Sequence, residues 1–407
     1  MDLTKMSLNI EFAGKTFKNP VIAASGIVTN NLYSTKKCIE AGVGGVIIKS
    51  VVYYNDHISP PRPQVWLLDR YGYQCGSTNI AAGFLSPEKG VKLLQELRPL
   101  AEKESTVLIG NINLTGVFRE EETRDLGRRL QEAGAEMIEV STSCPIMVAL
   151  EFAGDWSKVT DIKFLTKIIT TLKEEVSIPV FLKLPAHVGI DYADAIEQAG
   201  ADAHSILSIV PGTVIDIETG RPLVPLPHYL GHALRHHANY QTSRLALKAK
   251  RPIMSGGGIT TGRDVIERLM CGATLAAVHT AIMRYGYQRF TVMINSLKSF
   301  VDKKGYGAVK DIVGISVPYI ENFDEYKKFV EQKILPREAM TITIDNDRCV
   351  RCGSSLCENC WNGAISKKQG FPEVDLERCE FCGICQSICP AGAISIRPKT
   401  ELSACTR

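Results

Sequence analysis

The sequence predicts an α/β chain in two parts: a (β/α)8 TIM barrel, then a small α+β domain crowded with cysteine. Three observations carry that prediction. Eight short apolar runs recur along the first three quarters of the chain, each bounded by Gly, Pro or polar residues. Segments of helical period separate them, and this alternation is the pattern of a parallel sheet covered by helices. Of 13 cysteines, eight fall between Cys349 and Cys389, while the other five are scattered singly.

The runs occupy residues 21–24, 45–49, 107–111, 137–141, 180–183, 203–207, 252–256 and 275–279. They are continuously apolar rather than alternating, as parallel strands buried on both faces should be. Helix-period segments lie at 86–97, 123–133 and 191–199. A closing helix is expected over 288–304, where Phe290, Met293, Leu297 and Val301 repeat at helical spacing. Gly134, Gly200 and Gly272 each sit just before a strand, where the chain leaves a helix through a left-handed residue. Eight strands favour a closed barrel over an open doubly wound sheet, which needs no eighth. The expected divisions are 1–315 for the barrel, 316–342 for a connector, 343–398 for the cysteine domain and 399–407 for a tail.

Composition narrows the function. The 407 residues carry 47 basic against 44 acidic side chains, a net charge of +3, with 45% hydrophobic residues. That balance offers no electrostatic footing for nucleic acid or a membrane surface as partner. No apolar run reaches spanning length, and the first residues, MDLTKMSLNIEF, lack a signal-peptide pattern, so a cytoplasmic protein is expected. In such a chain, dense cysteines point to reduced, metal-binding thiolates rather than disulfides.

The second half of the cysteine region reads Cys379-Glu-Phe-Cys382-Gly-Ile-Cys385-Gln-Ser-Ile-Cys389-Pro390. This C-x2-C-x2-C-x3-C-P spacing is the ligand run of a bacterial-type [4Fe–4S] ferredoxin, in which the fourth cysteine serves the neighbouring cluster. Zinc asks instead for four ligands in two pairs. The first half, Cys349-x2-Cys352-x4-Cys357-x2-Cys360-Trp361, has different gaps and Trp in place of Pro, so a second cubane and another metal both stay open there. Asn362-Gly363-Ala364-Ile365 echoes Ala391-Gly392-Ala393-Ile394, which favours the duplication and hence the second cubane. With a second cubane, the crossing rule would have Cys349, Cys352, Cys357 and Cys389 hold one cluster and Cys379, Cys382, Cys385 and Cys360 the other. Two adjacent clusters would relay electrons.

The barrel offers the wire a terminus. After the seventh run comes Ser255-Gly256-Gly257-Gly258-Ile259-Thr260-Thr261-Gly262, a glycine-rich turn into a helix, at the place where barrels commonly bind phosphate. A tight turn is the plain structural alternative. Lys49 and Lys183 close the second and fifth runs, at the barrel's active face. Each could merely snorkel, but two such cations suit a flavin edge that turns anionic on reduction.

Taken together, several local motifs resemble the class 1 dihydroorotate dehydrogenases, and with the ferredoxin tail the chain is similar to the pyrimidine-reducing subunits of dihydropyrimidine dehydrogenases. They are Asn19-Pro20 with Ala24-Ser25-Gly26, Lys49-Ser50, Ser143-Cys144-Pro145, Lys183-Leu184-Pro185, Gly257-Gly258-Ile259 and Cys271-Gly272-Ala273-Thr274. The resemblance implies FMN, with Ala24, Ser25 and Gly26 near the ring and Lys49 and Lys183 at its polar edge. Ser50, Asn111 and Ser141 join the implied cofactor contacts. Gly231, Gly257, Gly258, His279 and Thr280 would hold the phosphate end. Cys144 is the implied general acid/base, exchanging the proton at one carbon while hydride moves at the other, with Lys49 beside it. Cys144 as a small buried hydrophobe is the alternative. Relatives also imply a homo-oligomer.

The chain departs from the family where relatives grip a pyrimidine with asparagine amides. The corresponding positions are Ser141, Ile146 and Ser208, with Gln74 or Asn79 as substitutes in the loop after the second strand. A site built to bond a ring amide discriminates poorly once those partners vanish. His187 and His204 are further polar candidates for substrate contact, and the stretch 228–237 reads as an αβ loop rich in histidine. The leading expectation is therefore an FMN and iron–sulfur oxidoreductase acting on the C=C or CH–CH bond of a small carbonyl-conjugated or cyclic substrate. The alternatives are turnover of uracil, thymine or orotate, and an electron-transfer subunit with no substrate of its own. No G-x-G-x-x-G fingerprint follows a strand, so a separate NAD(P)H-dependent flavoprotein subunit or a ferredoxin is the expected electron partner.

Overall fold

A computed structural model describes residues 7–53, 65–68, 75–78, 83–114, 119–142, 157–207, 210–211, 215–222, 228–322, 324, 327–328, 335–352 and 360–399. The chain divides into two compact units, Met1–Ile320 and Glu321–Arg407.

The first unit is the expected barrel. Its strands are β1 (Val21–Ala23), β2 (Gly45–Ile47), β3 (Val107–Asn113), β4 (Met137–Ser141), β5 (Val180–Pro185), β6 (Ala203–Leu207), β7 (Ile253–Ser255) and β8 (Leu275–Val278). All are parallel and pair in sequence order, and β8 closes on β1 through Ala276 and Val21. Gly134, Gly200 and Gly272 adopt φ of 106°, 102° and 102°, the left-handed exits the sequence called for. The closing helix runs Gln288–Lys304 and buries Phe290, Met293, Leu297 and Val301 completely. The helix expected over 191–199 is Ala193–Gln198, and Tyr192 separates it from a further helix, Ala186–Asp191, that the sequence did not show. Val188, Ile190, Ala193 and Ile196 are all buried. On one straight helix they would spread around more than half the circumference, and the break turns them all toward the core.

A feature the sequence reading omitted closes the barrel's N-terminal end. Strands Ile10–Phe12 and Lys15–Phe17 form a hairpin, with Ile10 paired to Phe17. Phe12 packs edge-on against Phe17 at 6.0 Å and against Phe181 of β5 at 5.8 Å, and none of the three is exposed. The hairpin thus floors the barrel with aromatic rings. At the opposite end, segments inserted after β2 and β6 pair with each other. Val65–Leu68, Cys75–Thr78, His228–Gly231 and Val210–Pro211 make one antiparallel sheet. The stretch 228–237 is therefore not a loop: it is an inner strand of this sheet, a 3-10 turn at His232–Leu234 and the start of helix Arg235–Ala246. Its backbone groups are claimed by the ladder, which a free loop would leave to water.

The second unit is a duplicated module. Met340–Ile344 pairs antiparallel with Ile394–Pro398, and Ile365–Lys368 with Phe371–Val374. Each cysteine run is preceded by the same turn: Asp345 Oδ1 accepts from the amides of Asp347 and Arg348, and Asp375 Oδ1 from those of Glu377 and Arg378. The Cys349 and Cys379 amides then donate to the Asp345 and Asp375 carbonyls, both at 3.0 Å. No described helix is long and apolar enough to cross a membrane.

Candidate functional site

The barrel interior is polar above its aromatic floor. Side chains alternate along a strand, so Asn111 and Asn113 of β3 point the same way. Asn111 Nδ2 donates to Glu139 Oε1 at 2.7 Å and to Ser141 Oγ at 3.3 Å. Ser205 of β6 donates to Glu139 Oε2 at 2.8 Å, a contact from β4 that skips β5 and so crosses the interior. Lys183 Nζ lies 3.8 Å from Glu139 Oε1. Glu139 is 1% exposed, and these partners are what make a buried carboxylate tolerable. Its signal in the sequence was a charge inside the apolar run Met137-Ile138-Glu139-Val140, which the sequence reading passed over.

Two cations stand at the C-terminal mouth. Lys49 is buried, with its ammonium 4.6 Å from the centre of the Phe84 ring. Lys183 lies in β5, in register with Ser141 on one side and Ser205 on the other. His279 follows β8. Its ring packs so closely on Gly26 that a Cβ there would meet Nε2 at 2.0 Å. Burial first, then Lys49 and Lys183, push the His279 imidazolium down to about 3, so the ring is neutral at ordinary pH. The residue keeps some exposed surface, but Nε2 itself is enclosed and has no hydrogen-bond partner among the described residues. Asn111 Oδ1, Asn113 Oδ1 and Thr142 Oγ1 are likewise enclosed without partners among the described residues. Ala24 is buried, with its amide on the Val278 carbonyl at 3.0 Å; Ser25 is half-buried and Ser50 buried.

The glycine turn after β7 is held from behind by a residue the sequence reading missed. Arg268 is wholly buried on helix Gly262–Met270 and donates to the carbonyls of Gly256 and Gly257 and to Ser255 Oγ. Burial lowers its guanidinium to about 10, still charged at neutral pH. The Gly256 N–H in turn donates to the Ile206 carbonyl of β6 at 3.0 Å, tying the turn to the neighbouring strand. Gly258 has φ +76°, and a Cβ there would meet the Arg235 amide nitrogen at 2.4 Å, so only glycine fits. Asp264 fastens the same turn. Oδ2 accepts from the Thr260 and Thr261 amides at 2.8 Å each, and Oδ1 from Arg235 at 2.7 Å. Burial would raise this carboxyl, but Arg235 and the two amides outweigh it and hold it below its ordinary value. His232 Nδ1 meets Thr260 Oγ1 at 2.7 Å. Gly231, with φ 105°, precedes it, and Thr280 opens helix Thr280–Tyr285. The only sequence hint was the Asp264/Arg268 spacing of four, which puts both on one face of the helix.

Several expectations fall elsewhere. Gln74, Asn79, Cys144, Ile146, Ser208 and Cys357 lie outside the described residues. His187 is in helix Ala186–Asp191. His204 is not a mouth residue: it opens β6 at the floor end and bonds Glu197 Oε1 at 2.8 Å. Glu197 also accepts from the amides of Lys250 and Arg251, so His204 serves to lock strand to helix.

In the second unit, Cys360, Cys379, Cys382 and Cys385 line one cavity with Trp361 and Ile384. Cys349, Cys352 and Cys389 line another, which Cys385 also touches. Backbone amides point at two of the sulfurs, Phe381 N–H to Cys379 Sγ at 3.4 Å and Ala393 N–H to Cys389 Sγ at 3.3 Å. Among the described residues no three His, Cys, Asp or Glu side chains gather as they would around a single ion.

The profile of the dihydroorotate dehydrogenase family matches residues 7–301, the whole barrel from its floor to the closing helix. The chain belongs to that family. Residues 372–395 match the 4Fe-4S binding domain. Over 97% of the chain and 96% of the relative, it is 28% identical to the NAD-dependent dihydropyrimidine dehydrogenase subunit PreA of Escherichia coli strain K12. The barrel portion, 76% of the chain, is 32% identical to 99% of the dihydroorotate dehydrogenase B (NAD(+)) catalytic subunit of Caldicellulosiruptor saccharolyticus, and 28% identical to 99% of the one from Thermoplasma acidophilum. This dihydroorotate dehydrogenase family member is thus an oxidoreductase of the kind that acts on CH–CH bonds, joined to an iron–sulfur module.

Proposed function

We propose that the chain uses FMN and two [4Fe–4S] clusters to reduce, or oxidise, the C=C or CH–CH bond of a small carbonyl-conjugated or cyclic substrate. The carrying observation is the barrel mouth, where enclosed polar atoms without partners among the described residues share the strand ends with two lysines. Such atoms cost free energy unless a ligand completes them. The residues fit FMN: Ala24, Ser25 and Gly26 would flank the ring, and Lys49 and Lys183 would stand at its electron-rich edge. His279 packs against Gly26 beside these lysines, so we assign its ring to that end and its backbone, with Thr280, Gly231, Gly257 and Gly258, to the phosphate. Ser50, Asn111 and Ser141 complete the cradle. FMN supplies hydride exchange at N5 when bound.

Cys144 would hold or release the proton at the neighbouring carbon, on the segment that follows β4. Gln74, Asn79, Ile146, His187 and Ser208 would surround the substrate. In the tail, Cys349, Cys352, Cys357 and Cys389 would ligate one cluster and Cys360, Cys379, Cys382 and Cys385 the other. The duplicated turns at Asp345 and Asp375 and the two cysteine-lined cavities support two equivalent centres. Electrons would come from, or go to, a separate flavoprotein subunit or ferredoxin, a reading supported by relatives named as subunits. We also assign a homo-oligomer, by analogy with the family.

A second reading, turnover of uracil, thymine or orotate, is favoured by the end-to-end similarity to a dihydropyrimidine dehydrogenase subunit. One experiment separates the two. Anaerobic protein is reduced, freed of reductant and offered uracil, thymine, orotate, enoates and unsaturated lactams while flavin absorbance is followed. The leading reading predicts reoxidation by an enoate or lactam and a reduced flavin with all three pyrimidines. Fast reoxidation by a pyrimidine replaces it with the second reading. A flavin that only artificial acceptors reoxidise contradicts both.

A further inference from the structure

The structure supplies an amide beyond Gln74 and Asn79, at a position the sequence does not single out. Asn113 ends β3, the longest barrel strand, and is 5% exposed. It shares the inward face of Asn111, two residues nearer the mouth, and lies in register with Ser141. Asn111 is engaged by Glu139 and Ser141, but Asn113 Oδ1 is enclosed with no partner among the described residues.

Position separates Asn113 from the phosphate turn. In the closed strand order, β3 stands four strands from β7 in either direction, so Asn113 faces the glycine turn across the full width of the mouth. Its neighbour Ser141 precedes Cys144 by three residues. The reacting carbons must come within reach of the residue that exchanges the proton. An acceptor oxygen at the end of β3, in register with Ser141 at the end of β4, is therefore placed to meet the substrate rather than the cofactor's phosphate end.

We propose that Asn113 is a specificity-determining residue, whose side-chain oxygen accepts a hydrogen bond from an N–H adjoining the substrate's carbonyl. It would stand in for the amides missing at Ser141, Ile146 and Ser208. The inference rests on the reading of the chain as an FMN enzyme, which the flavin content of the purified protein tests separately.

The test uses the FMN-loaded full chain and a matched pair of probes. One is 5,6-dihydropyridin-2-one, an unsaturated lactam; the other is 5,6-dihydropyran-2-one, which carries oxygen in place of the N–H. Affinities are read from perturbation of the flavin spectrum. The wild-type protein should bind the lactam about tenfold or more tighter, the scale of one buried hydrogen bond left unmade. Asn113→Leu should abolish that preference while retaining FMN, and Asn113→Asp, which keeps an acceptor oxygen, should preserve it. No preference in the wild-type protein overturns the proposal. So does a preference that survives Asn113→Leu, or loss of FMN from that variant.

Discussion

The two ends of the barrel handle their buried surface in opposite ways. The floor is closed by Phe12, Phe17 and Phe181, three unexposed rings in edge-on contact. Among the described residues the mouth is built from Lys49, Lys183, Asn111, Asn113, Thr142 and His279, and leaves four enclosed polar atoms without partners there. A folded chain rarely tolerates such atoms. Of the seven such atoms among the described residues, four stand at this end, above an apolar plug, which is why we propose that a ligand completes it. On that reading the floor contributes stability and the mouth function, a division common to barrels of this kind.

That contrast can be sharpened from the floor first. Phe12→Ala should cost about 3–5 kcal/mol, the range for emptying a buried aromatic site, as measured by chemical denaturation. The variant should still bind FMN under native conditions. A loss below about 1 kcal/mol would mean that the hairpin merely rests on the barrel.

A smaller effect belongs to the mouth. The folded His279 pKa of about 3 lies below the value of about 6.5 for an unfolded histidine. Between those values the unfolded chain holds a proton that the folded chain lacks, so stability falls as pH drops through that window. In flavin-free protein, His279→Gln should therefore narrow the difference in denaturation midpoint between pH 7.5 and pH 4.5. An unchanged difference would show that the ring is solvated in the folded state. Asp264 contributes in the same direction at lower pH, because its depressed carboxyl loses its Arg235 and amide partners only when protonated.

Most of the barrel was legible because parallel strands advertise themselves as continuous apolar runs with glycine or polar boundaries. Each expected strand is present within two residues of its predicted limits. The hairpin escaped because its strands are only three residues long, although Ile10-Glu-Phe12 alternates and Ala13-Gly14 marks the turn. Asn113 escaped for a different reason. The apolar pattern fades at Asn111, and only pairing to β4 extends the strand two residues further. Glu139 and Arg268 show a third limit: nothing in one sequence says that a charge points inward until the opposing strands are in register. In the cysteine region the run Cys379–Cys389 was legible, since thiolate spacing is itself the chemistry, and residues 372–395 match a 4Fe-4S binding domain.

The central claim is that the mouth, and not some other surface, holds FMN. The most direct measurement is flavin released per chain from purified wild-type, Phe12→Ala and Gly258→Val proteins, with folding checked by circular dichroism. The account predicts about one FMN in the first two. It predicts loss from Gly258→Val, where a side chain would collide with the Arg235 backbone behind the glycine turn. A wild-type protein without flavin, or a folded Gly258→Val variant that keeps it, would contradict the account.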